Sequence, residues 1–350
     1  MKYIPQFEPQ IKFNYVMNIN KQIFTGWLGP GNMCKLVEQY FTKKILINRY
    51  NRLTTSGTTA LLIAIKSLDL PKNSTIAFPA YTFLAGANAA KFLRYKVKLI
   101  DIKENTLSMN PDSLAKIINK IDAVIFVNHN GYGNTDLYKI HQLCFKNNIP
   151  LIEDSSQALG IPEAGLTGDI SIISFSVPKI ITSGQGGLIS TNNINYYNKI
   201  KEIIDHGDNN WRKLKLHIRD GVNFKFNDIL ASYLYAQLKD FKYIKRKKEK
   251  IFNEYRKYIK LIDFNYKFTW MVLYKTKYAK KIIKELRKNN IQAVKYYRPL
   301  YHNPIYNGTK TKYPIAEKVY NETIYLPSSL NLTKKQIKKI CNVINRIENE

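Results

Sequence analysis

Cysteine is scarce in this 350-residue chain: Cys34, Cys144 and Cys341 stand apart, with no CxxC pair and no cysteine–histidine cluster. That scarcity argues against a disulfide framework and against a zinc or other metal site, and it points to a reducing compartment. Long apolar runs are missing as well. No stretch reaches the roughly 20 residues needed to cross a bilayer, and the opening MKYIPQFEPQIKF lacks the apolar core of a secretory signal. The expected setting is the cytoplasm, with no membrane partner. Internal repeats, low-complexity linkers and Pro- or Ser-rich hinges are absent too. Acidic residues are also in short supply: 26 Asp and Glu face 55 Lys and Arg, a formal net charge of +29.

A basic surplus of this size is one mark of nucleic-acid-binding chains. Here, however, the cations are mostly lysine and run through the whole chain. Ile, Asn and Tyr are abundant beside them, a mixture that AT-rich coding produces without selection for a basic surface. The densest run, KDFKYIKRKKEKIFNEYRKYIK (239–260), has apolar residues at roughly helical spacing and reads as a solvated helix face. No nucleic-acid partner is expected. A diphosphate-bearing small molecule suits the same charge.

What remains is an ordinary globular composition, 45% hydrophobic and 23% charged, long enough for one large domain and a smaller one. Strands are predicted at 74–80, 96–102, 123–129, 149–154, 169–176 and 187–191, with helices at 58–68, 83–93, 111–121 and 136–148. This alternation predicts an α/β fold with a mostly parallel sheet covered by helices on both faces. After residue 238 the pattern shifts to a long basic helix near 236–260, the run YKFTWMVLYK (266–275) and helices over 279–290 and 333–349. The expected division is a large domain, 1–238, and a smaller C-terminal α+β domain, 239–350.

Ligands on parallel sheets sit beyond the carboxyl ends of the strands, and two complementary side chains fall there. Asp154 ends the apolar run in PLIEDSSQALG, while Lys179 lies between SIISFSVP and the glycine-rich turn TSGQGG. Such a pair forms a minimal pyridoxal 5′-phosphate (PLP) site. The amine makes a Schiff base, and the carboxylate keeps the pyridine nitrogen protonated. Other segments offer supporting parts, each with a plainer reading beside it. Ser56-Gly57-Thr58 opens an apolar-periodic helix, either as a simple serine cap or as a phosphate cradle of backbone N–H groups. Phe83 is either a core aromatic or a face for the cofactor ring. Asp154 also has the makings of a helix cap, and Gln157 reaches the same pocket if a turn follows it. Ser174 is a strand serine or a phosphate contact.

Taken in order, GWLGP (26–30), SGTTAL (56–61), YTFLAGANA (81–89), IEDSSQALG (152–160) and ISFSVPKIITSGQGG (173–187) form one pattern. It continues through DHG (205–207), GVNFKFNDILASYLYAQL (221–238), YYRPLYHNP (296–304) and YLPSSLNLT (325–333). The set resembles the DegT-type family of sugar-nucleotide aminotransferases. The resemblance implies an aspartate-aminotransferase-like fold (fold type I PLP enzymes), a three-layer domain with a smaller C-terminal one. It also implies that Lys179 carries the cofactor, that Asp154 partners its ring nitrogen and that Gln157 lies beside its hydroxyl. Gly57, Thr58 and Ser174 match phosphate contacts, and Phe83 the stacking position. Asn223 falls where a second subunit supplies a phosphate ligand, so a homodimer with shared sites is implied. Trp27, Tyr297 and His302 lie where the sugar nucleotide is held. The chain departs from the pattern at Gln185, Ser155 and Ser176 without losing a cofactor contact.

The implied reaction carries an amino group from glutamate, through pyridoxamine phosphate, to a nucleotide-linked 4-keto-6-deoxyhexose. Its products are 2-oxoglutarate and a 4-amino-4,6-dideoxy sugar of viosamine or perosamine type. The carrier (UDP, dTDP or GDP) and amination at C3 instead of C4 stay open. Two rivals stand beside it. One is a sugar-nucleotide dehydratase, a branch that carries histidine where this chain has Lys179. The other is a non-enzymatic basic binding or regulatory protein reusing the fold.

Overall fold

The computed structural model describes residues 3–207, 219–262, 266–295, 297–306 and 310–350. Seven strands build the main sheet: β1 (Tyr50–Thr54), β2 (Thr75–Pro79), β3 (Lys96–Ile100), β4 (Ala123–Val127), β5 (Leu151–Asp154), β6 (Ile170–Ser174) and β7 (Gly187–Thr191). Their spatial order is β1-β7-β6-β5-β4-β2-β3. Only β7 runs against its neighbours; it pairs antiparallel with both β1 and β6, and every other pairing is parallel.

The sequence explains this arrangement. Strands β4, β6 and β7 are buried at every position, and AVIFV and ISIIS are continuous runs of apolar or small residues. Strands covered on both faces need such runs and not an alternating pattern. One face packs the helices Pro111–Ala115 and Asn134–Lys146 through Leu114, Leu137, Ile140 and Cys144. The other packs α-helices Gly57–Ser67, Ala85–Phe92 and Ile194–Ile204, the first of which contacts β6 and β7 directly. The result is the expected three-layer α/β arrangement.

Some local expectations are corrected. Tyr50–Thr54 had no strand assigned to it, yet it closes the sheet edge by pairing residue for residue with β7. The long basic helix is two helices, Asp228–Lys239 and Phe241–Arg256. Asp240 sits at the break, and its carboxylate accepts from Lys12 Nζ (2.7 Å) and Tyr15 Oη (2.9 Å). The helix predicted over 111–121 stops at Ala115 and resumes as a short 3₁₀ turn, Ile118–Lys120.

In the C-terminal third, β8 (Val272–Lys275) pairs antiparallel with β9 (Thr323–Leu326). The helices Phe241–Arg256 and Ala279–Lys288 both pack against the helix Lys334–Glu348. The chain start returns here: Ile4 N donates to Asn290 O and Ile4 O accepts from Gln292 N, both at 2.9 Å. Among the described residues no helix is long and apolar enough to cross a membrane, and no cluster of His, Cys, Asp and Glu could hold a metal ion.

Candidate active site

Every parallel strand points its carboxyl end at the same edge of the sheet. Three of those ends, together with the start of the reversed β7, enclose a cavity of about 300 Å³. From β1 come Ser56, Gly57 and Thr58; from β5, Asp154 and Gln157; from β6, Ser174 and Lys179. Phe83 and Tyr297 complete the wall, beside Gln185 and Gly186.

Ser56 is an N-cap. Its Oγ accepts from Thr59 N at 3.0 Å, while its own N–H donates to Thr59 Oγ1 at 2.9 Å. That reciprocal capping pins the start of the helix Gly57–Ser67 and leaves the first N–H groups facing the cavity. Gly57 is required by proximity: a Cβ there would stand 2.8 Å from the Cβ of Ser174. Gly187 is tighter still, with a Cβ position 2.3 Å from the Ser56 carbonyl oxygen. The Gly-rich turn therefore lets β7 pass under the helix start. Among the described residues Ser174 Oγ makes only long hydrogen bonds, 3.4 Å to Ser176 Oγ and to Ser176 N.

Strand alternation separates two adjacent acids. Glu153 turns away from the cavity and accepts from Gly165 N (2.5 Å), Thr167 N (3.1 Å) and Gly168 N (3.2 Å). It organises the turn before β6. Asp154 turns into the cavity, with Ser156 N donating to its Oδ1 at 3.0 Å. Burial pushes the Asp154 carboxyl upward, opposed by Ser156 and by the positive charge of Lys179. Burial pushes the Lys179 amine down to about 8, opposed by Asp154. The two groups are thus electrostatically coupled across one cavity.

Sequence reasoning missed two contributors, Trp270 and His129. The indole of Trp270 lies with its ring centroid 4.2 Å from Lys179 Nζ. His129, just past β4, is buried with its ring stacked on Tyr81 at 5.3 Å, and its Nε2 hydrogen-bonds the Tyr325 hydroxyl. Burial, then the Lys179 charge, pushes the His129 imidazole down to about 3, so it is neutral at ordinary pH. Tyr297 packs edge-on against His129 at 5.9 Å and lies 5.7 Å from Phe83. A histidine two residues past the buried run AVIFV and a tryptophan in FTWMV were the available signals.

Three expected residues stand elsewhere. Trp27 is 59% exposed and donates from Nε1 to Pro30 O. His302 pairs its Nε2 with Glu317 Oε2 at 2.7 Å. Asn223 is exposed and bridges Asp205. None of the three lines the cavity of its own chain. Of the motif 296–304, residue 296 lies outside the described residues.

The cavity suits a phosphorylated pyridine. Helix-start N–H groups and a weakly engaged serine hydroxyl offer donors to an anion, and a carboxylate stands opposite an amine. The buried amide oxygen of Gln157 has no partner among the described residues, as expected of a side chain meant to meet a ligand.

Residues 9–345 match the profile of the DegT/DnrJ/EryC1/StrS aminotransferase family. GDP-perosamine synthase of Escherichia coli O157:H7 is 29% identical over 362 residues, spanning 99% of this chain and 98% of that protein. UDP-2-acetamido-2-deoxy-3-oxo-D-glucuronate aminotransferase of Pseudomonas aeruginosa is 28% identical over 303 residues, 82% of this chain and 83% of that one. Among solved structures, Helicobacter pylori PseC, an aminotransferase involved in the biosynthesis of pseudoaminic acid, superposes with a TM-score of 0.89. Its identity is 23%, and the match covers 100% of both chains.

Proposed function

Since the chain belongs to the DegT/DnrJ/EryC1/StrS aminotransferase family, and is thereby a PLP-dependent sugar aminotransferase, we propose that it aminates a nucleotide-linked 4-keto-6-deoxyhexose with glutamate as donor. The product is a 4-amino-4,6-dideoxy sugar nucleotide, and a GDP carrier is the first to test. The perosamine synthase likeness over nearly the full chain supports that choice. The observation that carries the reading is the coupling of Lys179 to Asp154 in a cavity roofed by a helix N-terminus.

PLP, when bound, supplies an electron sink for the carbon that gains or loses nitrogen. Asp154 holds a proton on the pyridine nitrogen through its carboxylate. Lys179 would carry the cofactor through Nζ and would serve as base and then acid for the proton on the donor's α-carbon. A depressed amine pKa keeps a useful fraction of Lys179 neutral near pH 8. Gly57 and Thr58 N–H groups and the Ser174 hydroxyl hold the phosphate, with Ser56 fixing the helix start. Gln157 orients the ring hydroxyl, and Phe83 covers the ring face.

Asn223 completes the phosphate site of a second copy of the chain, so the active unit is a homodimer. Trp27 and His302 join Tyr297 around the sugar nucleotide within that assembly. The same proposal divides the protein into a cofactor domain, 1–238, and a smaller domain, 239–350.

Mass spectrometry of products from UDP-, dTDP- and GDP-linked keto sugars, with labelled glutamate as donor, tests the reading. Nitrogen incorporated at C4 is the expected outcome. A deoxygenated product without nitrogen, or nitrogen at C3, would refute it.

A further inference from the structure

We propose that Trp270 is a positioning residue for Lys179, and that the buried side chain of Lys248 holds Trp270 in place. The inference rests on the reading of Lys179 as the reactive amine and adds the parts that aim it. Lys248 lies on the helix Phe241–Arg256, 2% exposed. Its Nζ donates to Trp270 O at 2.8 Å and to Ser328 O at 2.7 Å. The Phe7 ring centroid stands 5.9 Å away, and among the described residues no acidic side chain pairs with Lys248.

Burying an ammonium without a counter-ion is costly, and an apolar side chain would fill the same space more cheaply. What lysine adds is two hydrogen bonds to main-chain carbonyls. One of those carbonyls belongs to Trp270.

The indole is clamped at its other end. Trp270 Nε1 donates to Pro178 O, the residue before Lys179, and the ring face meets Lys179 Nζ at 4.2 Å. Thr269 Oγ1 donates to Asn130 O at 3.2 Å, and Met271 N donates to Asn130 Oδ1 at 3.1 Å. Segment 269–271 is therefore a strut between Lys248, the Asn130 turn and the Lys179 loop. An aromatic face attracts an ammonium and confines its swing. Trp270 thus holds the Lys179 amine in its protonated form, and deprotonation weakens that hold. The other titratable groups coupled to Lys179 are Asp154 and His129.

The test reads Trp270 directly in PLP-free, full-length protein carrying W27F and W211F. Its fluorescence is expected to titrate with a midpoint at about 8. K179M should abolish that transition, and K248M should displace its midpoint. A transition that survives K179M, or one that K248M leaves unmoved, overturns the proposal. In otherwise wild-type enzyme, W270L should lower kcat about tenfold or more at unchanged sugar-nucleotide KM, with W270F restoring part of it. Unchanged kcat in W270L also overturns it. Borohydride fixation of PLP to Lys179 reports the parent reading separately. An unlabelled wild-type protein defeats that reading, whereas a labelled one with indifferent W270L defeats only the strut.

Discussion

Gly57 and Ser174 approach so closely that a β-carbon on residue 57 would stand 2.8 Å from that of Ser174. The start of one helix and the end of β6 are thereby brought to one point, where backbone N–H groups and a hydroxyl share a concave surface.

Alanine at position 57 must push these two elements apart. Overpacking of this kind costs roughly 1–3 kcal/mol, so G57A should weaken PLP binding about tenfold or more. Absorbance titration of the apo-protein measures the affinity, and thermal melting shows whether the fold survives. An unaltered affinity would remove Gly57 from the phosphate site.

The coupling of Lys179 to Asp154 has a pH signature. Burial brings the amine to about 8, so its neutral, nucleophilic form grows as pH rises through that value. The rate of covalent PLP capture should increase over the same range. Asp154 holds the amine pKa up, so D154N should move the midpoint lower. Turnover of D154N should fall about a hundredfold or more, as when one preorganised electrostatic partner is removed. Stopped-flow absorbance follows capture. A midpoint that stays put in D154N would separate the two groups.

A shared site can be tested by mixing. In the proposed homodimer, K179A lacks the amine and N223A lacks the ligand offered to the other subunit. Hybrid dimers of the two contain one intact site, so the mixture should exceed the mean activity of its parts after subunit exchange. Activity that merely averages, or a fully active monomer on gel filtration, would place Asn223 outside the active site.

Lys248 should leave a trace in stability. Burial brings its folded-state amine to about 7, far below the ordinary lysine value. Between the two values the unfolded chain binds more protons, so this group's contribution to stability rises with pH across that window. Its penalty is greatest below about pH 7. K248M removes the titration but also the hydrogen bonds that Lys248 Nζ donates to the carbonyls of Trp270 and Ser328, at about 0.5–1.5 kcal/mol for each bond lost. The Tm of K248M relative to wild type should therefore fall steadily as pH rises from about 7 toward the ordinary lysine value, and be most favourable toward acid. A pH-independent difference would show that Lys248 is not buried as a depressed amine.

Much of this molecule was legible in its residues. Continuous apolar runs marked β4, β6 and β7, because strands covered on both sides need apolar or small residues at every position. The serine–glycine–threonine helix start, the strand-ending Asp154 and the lysine before a glycine turn were readable for the same reason: each is a local solution to a local constraint. β1 was not, since Tyr50–Thr54 carries polar residues and becomes a strand only by pairing with β7, more than a hundred residues away. The sequence singled out Asp154 but left its neighbour Glu153 without a role. The pleat of β5 sends one into a backbone turn and the other into the cavity.

Composition and local pattern thus determined the layers, the positions of most strands and the chemical pair at their ends. Only the tertiary structure decided that Trp270 and His129 stand beside Lys179, with Lys248 and Tyr325 behind them. None of them lies within 40 residues of Lys179 along the chain. Their meeting depends on how separate elements pack, and packing geometry leaves no periodic mark in the segments that take part.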